Sequence, residues 1–327
     1  MKVLIAPDSF KGTYTAVEVA AAIARGVRET GQTAVELPLA DGGEGTLTAL
    51  ASNADARFFE AEVRNPWGAP VTGSYAITPA GVGIVELAQA SGITVAHDGP
   101  RDAYEADTYG TGQLILAAVG HGATEILVSA GGSATSDGAE GAIRAIEEAG
   151  GLGSVPITVL TDVTTPFERA GEVFGPQKGA DPATVERITA RLRRQAGQLP
   201  RNPLGVERTG AAGGFSGGMW AQYDAALVSG ADYVLDFVRF DDHVGEADAV
   251  VVGEGRLDAQ TGQGKIIDAV LARVGRLRPG LPVIAVVGSV DDDLGEYRSN
   301  FAEVLVATDD RAMRQAGRTV AGRSTGR

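Results

Sequence analysis

The sequence contains no cysteine, and this absence removes several classes of chemistry. Without cysteine the chain has no disulfide, no thiol nucleophile and no cysteine-ligated zinc site. Histidine is scarce as well: His97, His121 and His243 are scattered, and none stands in a HExxH or similar metal-binding pattern. We interpret them as surface or packing residues, and we expect neither a thiol enzyme nor a zinc enzyme.

Long apolar runs and an excess of positive charge are also missing. No stretch approaches the roughly 18 consecutive apolar residues that span a bilayer, and the first apolar run, which ends before Pro7, is too short for the core of a signal peptide. With 28 basic and 42 acidic residues the net charge is −14, which argues against nucleic acid or an acidic membrane surface as a partner. We therefore expect a cytoplasmic protein that binds neither a membrane nor nucleic acid.

The residues that are present are typical of a globular α/β protein. With 327 residues the chain is long enough for two domains with full cores. The hydrophobic fraction is 44%, and 46 glycines predict many tight turns.

A unit of buried strand, polar loop and helix occurs near both ends of the chain. An apolar strand at 2–6 leads into a polar loop, and Thr15 with Glu18 forms a capping box that begins a helix. The same unit is predicted from strands at 34–39, 248–252, 283–287 and 303–307. Strands and helices alternating at this spacing predict a doubly wound parallel sheet, which binds ligands beyond the carboxyl ends of its strands.

The middle of the chain has a different pattern, and we interpret it as an inserted α/β domain. Strands at 58–63, 73–77 and 82–87 are separated by short turns, which predicts antiparallel pairing. The glycine-dense segment 209–218 predicts an irregular chain instead of a helix. The predicted boundaries are 1–54 with 246–327 for the discontinuous domain and 55–245 for the insertion.

The strand at 248–252 is followed by a charged, glycine-rich loop. We expect the strand to stop at Gly253 and a helix to begin next to Lys265, an arrangement suited to binding an anion. The loop is not a P-loop, because Ala259 stands in place of the first glycine and Ile266 in place of the hydroxyl residue. Taken alone, an ordinary surface turn explains it equally well.

Several such loops on one rim favour phosphoryl transfer over other reactions. That chemistry needs cations on the transferred phosphate, Mg²⁺ between phosphate oxygens and a carboxylate near the attacking hydroxyl. A Gly-Gly-Ser run beginning at Gly131 predicts a further anion cradle before a helix. The candidates for metal ligand or base are Asp41, Asp137, Asp162 and Asp258, and those for anion binding are Lys11, Lys178, Arg256 and Lys265. The residues alone lead no further than this reaction class.

Eight blocks, in order over nearly the whole chain, together resemble the type I glycerate kinases. They are DSFKG (8–12), LADGGEGT (39–46), YGTGQLI (109–115), GGSATSDG (131–138), DV with Pro166 (162–166), VFGPQKGA (173–180), GAAGG (210–214) and GEGRLDAQTGQGK (253–265). The resemblance implies a flavodoxin-like doubly wound domain interrupted by a second α/β domain with a mixed sheet. It also implies ATP as phosphoryl donor, D-glycerate as acceptor and Mg²⁺ as cofactor.

The resemblance implies roles for individual residues inside or beside these blocks. The catalytic residues would be Asp41, Asp162 and Lys178, with Asp162 or Asp41 as the base. The substrate would be bound by Ser9, Lys11, Arg256 and Asp258. The nucleotide would be bound by Gly131, Gly132, Ser133, Asp137 and Lys265. The metal ligands would be Asp41, Asp137 and Glu254.

Alternatives stay open at this point. We expect 2-phosphoglycerate in preference to 3-phosphoglycerate as the product. A kinase of another small hydroxy acid, or a non-catalytic anion- or nucleotide-binding protein of the same fold, is the alternative, since Thr165 and Ser136 depart from the family's residues. A phosphatase is disfavoured, because the residues after Asp8 do not match the pattern that follows the nucleophile of a phospho-aspartyl enzyme. The sequence does not decide which domain binds ATP, or whether the chain forms a homodimer.

Overall fold

The computed structural model describes residues 1–258, 266–291 and 293–322, and it divides the chain into two compact units. The first unit comprises Met1–Asp41, Thr48–Asn53 and Ala231–Arg327, and the second comprises Gly42–Leu47 and Ala54–Gly230. None of the helices in the described part of the chain combines the length and hydropathy needed to span a bilayer.

The described elements alternate between strands and helices at both ends of the chain. The strands are β1 (Lys2–Pro7), β2 (Thr33–Glu36), β3 (Arg57–Arg64), β4 (Pro70–Ile77), β5 (Val82–Glu86), β6 (Glu125–Ser129), β7 (Ile157–Leu160), β8 (Ala226–Val228), β9 (Ala249–Leu257), β10 (Val283–Val290) and β11 (Glu303–Val306). The helices are α1 (Ala16–Arg28), α2 (Thr46–Asn53), α3 (Ala88–Ser91), α4 (Tyr109–Gly120), α5 (Glu140–Glu148), α6 (Ala170–Phe174), α7 (Pro182–Ala196), α8 (Ala211–Tyr223), α9 (Gly230–Phe237), α10 (Phe240–Glu246), α11 (Ile266–Leu277) and α12 (Asp310–Gly322).

The first unit is built on a five-stranded sheet in the order β11-β10-β9-β1-β2, and each neighbouring pair is parallel. The chain moves outward from β1 to β2 on one side and from β9 to β11 on the other. The strand order therefore reverses between β1 and β9, and this switch point is where a doubly wound sheet leaves a crevice for ligands. The predicted flavodoxin-like parallel sheet is confirmed.

Helix α1 shows how the local sequence sets these elements. Thr15 accepts the N–H of Glu18 and the Glu18 carboxylate accepts the N–H of Thr15, so the predicted capping box is present. The apolar face of the helix buries Val19, Ile23 and Val27 completely. These side chains join the core cluster of the first unit, where burying a side chain of this size contributes about 1.5–3 kcal/mol.

The second unit contains a six-stranded mixed sheet in the order β3-β4-β5-β6-β7-β8. The pairs β3–β4 and β4–β5 are antiparallel, as predicted, and the pairs from β5 to β8 are parallel. A separate core fills this unit, with Tyr75, Leu114 and Phe215 fully buried. The prediction of a second α/β fold with a mixed sheet is confirmed.

Strand β9 differs from the prediction, because it does not stop at Gly253 but continues to Leu257. The glycines serve close packing here, not a turn. A Cβ atom on Gly253 would lie 2.8 Å from the carbonyl oxygen of Val286, and one on Gly255 would lie 3.4 Å from the backbone nitrogen of Lys11. Glycine therefore lets neighbouring backbone approach the strand.

The prediction of an irregular chain at 209–218 was correct only in part, because residues 215–218 are helical and lie in α8. Ala212, Gly213 and Gly214 interrupt the helix with φ values of 50°, 67° and 90°. A Cβ on Gly213 would lie 2.1 Å from the carbonyl oxygen of Thr135. The glycines are thus required for contact with the segment after β6, and the composition does not distinguish this use from a loop.

Candidate functional site

A pocket of about 500 Å³ lies at the switch point of the first unit, and we call it the switch-point pocket. Its predicted polar lining residues are Ser9, Lys11, Asp41, Glu254, Arg256 and Asp258. They come from the segment after β1, the segment after β2 and the end of β9. The structure therefore brings together the four residues predicted to bind substrate and two of those predicted as catalytic or metal-binding.

Backbone hydrogen bonds hold the segments that form this pocket. The N–H of Asp8 donates to the carbonyl of Gly253 at 2.8 Å, which extends the pairing of β1 with β9 by one residue. On the other side, the N–H of Leu39 donates to the carbonyl of Pro7 at 2.8 Å and brings the chain to Asp41. The two aspartates thus follow adjacent strands at the same edge of the sheet.

Asp8 lines the pocket and was not among the predicted site residues. It is only 9% exposed, and its Oδ1 accepts the N–H of Ser9 at 2.6 Å. Burial raises the pKa of the Asp8 carboxyl from 3.8 to about 7, and the negative charge of Asp41 adds to this rise. The N–H of Ser9 and the charge of Lys11 act in the opposite direction. Asp41 was predicted because it is an acid that follows a buried strand. Asp8 shows the same pattern.

Among the described residues, the two cations that line the pocket, Lys11 and Arg256, differ in their partners. Lys11 is exposed, and its charge acts on Asp8. Arg256 donates to the carboxylate of Asp291 at 3.2 Å, with 65% of the Arg256 side chain exposed. Exposed pairs of this kind contribute only about 0–1 kcal/mol. An anionic ligand can therefore recruit the Arg256 guanidinium at small cost.

The carboxylates around the pocket match the donor chemistry of Mg²⁺. Asp8, Asp41, Glu254 and Asp258 supply oxygen atoms, the ligand type that this ion prefers, and catalytic Mg²⁺ usually takes one or two carboxylates together with phosphate oxygens and water. Among the described residues no group of three or more His, Asp or Glu side chains could hold a metal ion. The metal assignment stays a prediction.

A second group of predicted residues lies in the second unit, around the buried side chain of Lys178. The ammonium group donates to Ser133 Oγ at 2.8 Å and to the carbonyl of Thr135. Burial lowers the pKa of Lys178 from 10.5 to about 7, and the charge of Asp137 opposes this shift. Lys178 therefore holds the loop that follows β6 in place. In the same loop Gly131 is half-buried and Gly132 is exposed.

Asp137, predicted to bind nucleotide and metal, is 3% exposed. Its Oδ2 accepts the N–H of Thr108 at 2.9 Å, the hydroxyl of Thr108 at 2.8 Å and the N–H of Gly141 at 3.0 Å. Its Oδ1 is buried without a hydrogen-bond donor among the described residues. The side chain thus ties the start of α4 to the start of α5, and it lies in a different unit from Asp41 and Glu254.

Asp162, predicted as a candidate base, also belongs to the second unit. Its Oδ1 accepts the N–H of Gly230 at 2.9 Å and the hydroxyl of Ser229 at 3.3 Å. These contacts give Asp162 a role in holding the segment after β8. The nucleotide-binding prediction for Lys265 falls outside the described residues.

Comparison with known proteins gives consistent matches over most of the chain. The model of the glycerate kinase family matches residues 3–149 and 149–321. A glycerate 2-kinase of Escherichia coli (strain K12) is 34% identical, with 97% of this chain and 94% of that protein covered. A glycerate kinase of Haemophilus influenzae is 35% identical, with 90% and 87% covered.

A crystal structure provides the corresponding comparison of folds. A protein from Salmonella typhimurium LT2, assigned as glycerate kinase 2, superposes with a TM-score of 0.85 at 32% identity. The match covers 99% of this chain and 98% of that one.

Proposed function

Because this chain belongs to the glycerate kinase family, and is therefore a kinase, we propose that it transfers the γ-phosphoryl group of ATP to a hydroxyl group of D-glycerate. The observation that carries the proposal is the switch-point pocket, in which two cations face carboxylates at the carboxyl ends of β1 and β9. A small hydroxy acid presents a carboxylate and hydroxyl groups, and the pocket offers complementary groups for both.

The cationic side chains and the carboxylates of the pocket have separate tasks in this proposal. Lys11 or Arg256 binds the carboxylate of glycerate, since both are cations with exposed side chains at the pocket. Asp41 accepts the proton of the attacking hydroxyl. The substrate oxygen forms a bond to the γ-phosphorus, the bond from that phosphorus to the β-phosphate oxygen breaks, and ADP leaves. A proton acceptor placed in this way typically contributes about 10²–10⁴-fold to the rate.

We propose the hydroxyl at C2 as the acceptor and 2-phosphoglycerate as the product. The support is the name of the Escherichia coli relative, a glycerate 2-kinase, which matches 97% of this chain. Transfer to the C3 hydroxyl, giving 3-phosphoglycerate, is the less favoured outcome.

The proposed donor and cofactor are ATP and Mg²⁺. The loop with Gly131, Gly132 and Ser133 is a candidate for contacts to the phosphates, because a glycine-rich loop after a strand can present backbone N–H groups to an anion. Glu254 is the candidate for holding Mg²⁺, which would neutralise charge on the transferred phosphate and would leave Asp41 to accept the proton.

The acceptor is tested by ADP release in parallel reactions with D-glycerate, tartronate and lactate, each with ATP and Mg²⁺. We expect D-glycerate to give the highest kcat/KM. A higher kcat/KM with tartronate or lactate would assign the chain to another hydroxy acid. ATP binding without ADP release that depends on any of the three acids would contradict the proposed kinase activity.

A further inference from the structure

Glu86 is a buried acid that does not line the switch-point pocket. It is the last residue of β5 and only 2% exposed. Its Oε2 accepts two backbone hydrogen bonds, from the N–H of Gly45 at 3.0 Å and from the N–H of Leu47 at 3.1 Å. These partners are 41 and 39 residues away in the chain, so the contacts belong to the tertiary fold.

The two N–H groups lie at the beginning of α2 (Thr46–Asn53). The first N–H groups of a helix have no partner within the helix, and a negative charge is favourable beside them. Burial raises the pKa of the Glu86 carboxyl, while the bonds from Leu47 and Gly45 lower it. Glu86 therefore caps this short helix from a distant strand.

Close backbone contacts restrain the same segment, Gly42–Leu47, at its beginning. Gly42 has a φ of +90°, and a Cβ there would lie 3.0 Å from the Cα of Gly230. A Cβ on Gly131 would lie 2.4 Å from the Cα of Gly43. Glycine backbone contacts and the Glu86 carboxylate thus fix the segment at both of its ends.

Asp41 immediately precedes this segment and lines the switch-point pocket. On the N-terminal side of Asp41 the chain is fixed by the hydrogen bond from the N–H of Leu39 to the carbonyl of Pro7. On its C-terminal side the fixed element is the Gly42–Leu47 segment. We propose that Glu86 is a positioning residue for the kinase reaction, which orients Asp41 by holding Gly45 and Leu47. This inference rests on the proposed function, because it assigns Asp41 a part in phosphoryl transfer.

The test compares three variants in the full chain. Glu86→Ala removes the oxygen that accepts both hydrogen bonds, and we expect kcat to fall about 10- to 100-fold, since a displacement on the order of 1 Å can cost that much. The KM for glycerate should change less, because Lys11 and Arg256 are untouched. Glu86→Gln keeps an oxygen acceptor of the same reach and should recover most of the kcat.

Val85→Ala is the matched control for a purely structural effect. Val85 is fully buried in the same strand and belongs to the core cluster, so its truncation lowers stability by about 1–2 kcal/mol without removing an acceptor for the segment. We expect this variant to keep its kcat. An equal loss of kcat in the Ala variants of Val85 and Glu86, or wild-type kcat in Glu86→Ala, would overturn the proposal.

Amide hydrogen exchange gives a readout that does not depend on activity. In Glu86→Ala the peptide containing residues 42–47 should exchange faster than in wild type, whereas Val85→Ala should leave its exchange unchanged. Unchanged exchange in Glu86→Ala would refute the anchoring role. If wild-type protein does not phosphorylate glycerate, the proposed function fails, and the exchange comparison still decides whether Glu86 holds the segment.

Discussion

At the level of single residues, Asp41 and Asp162 have different surroundings although both were predicted as candidate bases. Asp41 lines the switch-point pocket beside Asp8. Asp162 Oδ1 accepts hydrogen bonds from Gly230 and Ser229. These bonds give Asp162 a structural task, and Asp41 is kept as the proposed proton acceptor because it lines the pocket.

Substitution by asparagine separates these two residues. Asp41→Asn should lower kcat by about 10²–10⁴-fold, because the amide cannot accept the proton of the hydroxyl. Asp162→Asn should have a much smaller effect, since the amide oxygen can still accept the N–H of Gly230. Steady-state kinetics with D-glycerate and ATP measure both values. A larger loss in Asp162→Asn than in Asp41→Asn would reverse the assignment.

Lys178 gives a prediction about pH and stability. Its pKa in the folded protein is about 7, below the ordinary 10.5, so the unfolded chain binds more protons than the folded chain between these values. The contribution of Lys178 to stability therefore rises as pH increases from about 7 towards 10.5. Lys178→Met removes this titration and keeps most of the side-chain volume.

Denaturant unfolding at pH 7 and at pH 9 checks this prediction. The free energy of unfolding of wild type minus that of Lys178→Met should be larger at pH 9 than at pH 7. Lys2→Met is the control, because Lys2 is partly exposed and pairs with Glu246 at the surface. The same pH trend for both lysines would contradict the account of Lys178.

At the level of elements, the strands of the parallel sheet and the start of α1 followed from the sequence, but the close backbone contacts did not. Apolar runs predicted the five strands of the parallel sheet, and the Thr15 and Glu18 pair predicted the start of α1. The extension of β9 beyond Gly253 was missed, because glycine in a sequence indicates a turn and close backbone packing equally well. The helical state of residues 215–218 was missed for the same reason.

Helices α1 and α12 show such a contact at two glycines. A Cβ on Gly317 would lie 2.1 Å from the carbonyl oxygen of Ile23, and one on Gly26 would lie 1.9 Å from that of Arg314. Gly317→Ala should therefore push the helices apart and destabilise the protein by about 1–3 kcal/mol.

The control for this substitution is Gly275→Ala in α11, where an added Cβ meets no atom of the described residues within 4 Å. Alanine there should stabilise the helix by about 0.5–1 kcal/mol, because glycine is the poorer helix former. Thermal or denaturant unfolding measures both variants. Equal stability of Gly317→Ala and Gly275→Ala would contradict close packing of α1 and α12 at Gly317.

At the level of the whole molecule, the chain folds into two units, each with its own core and sheet. Acids and cations after buried strands predicted much of the switch-point pocket, since carboxyl ends of parallel strands meet at one edge. The burial of Asp137 and Lys178 was not predictable. It depends on which distant backbone groups each side chain reaches, as with Thr108 for Asp137 and Ser133 for Lys178.

The net charge of −14 makes the local cations of the pocket important for an anionic substrate. We propose that this site phosphorylates D-glycerate at its C2 hydroxyl, and the test is proton-coupled phosphorus NMR of the product formed from ATP and D-glycerate. We predict a new phosphomonoester signal split into a doublet by the single proton on C2, together with ADP. A triplet, from the two protons on C3, would contradict the position of transfer, and no new phosphomonoester signal would contradict the activity.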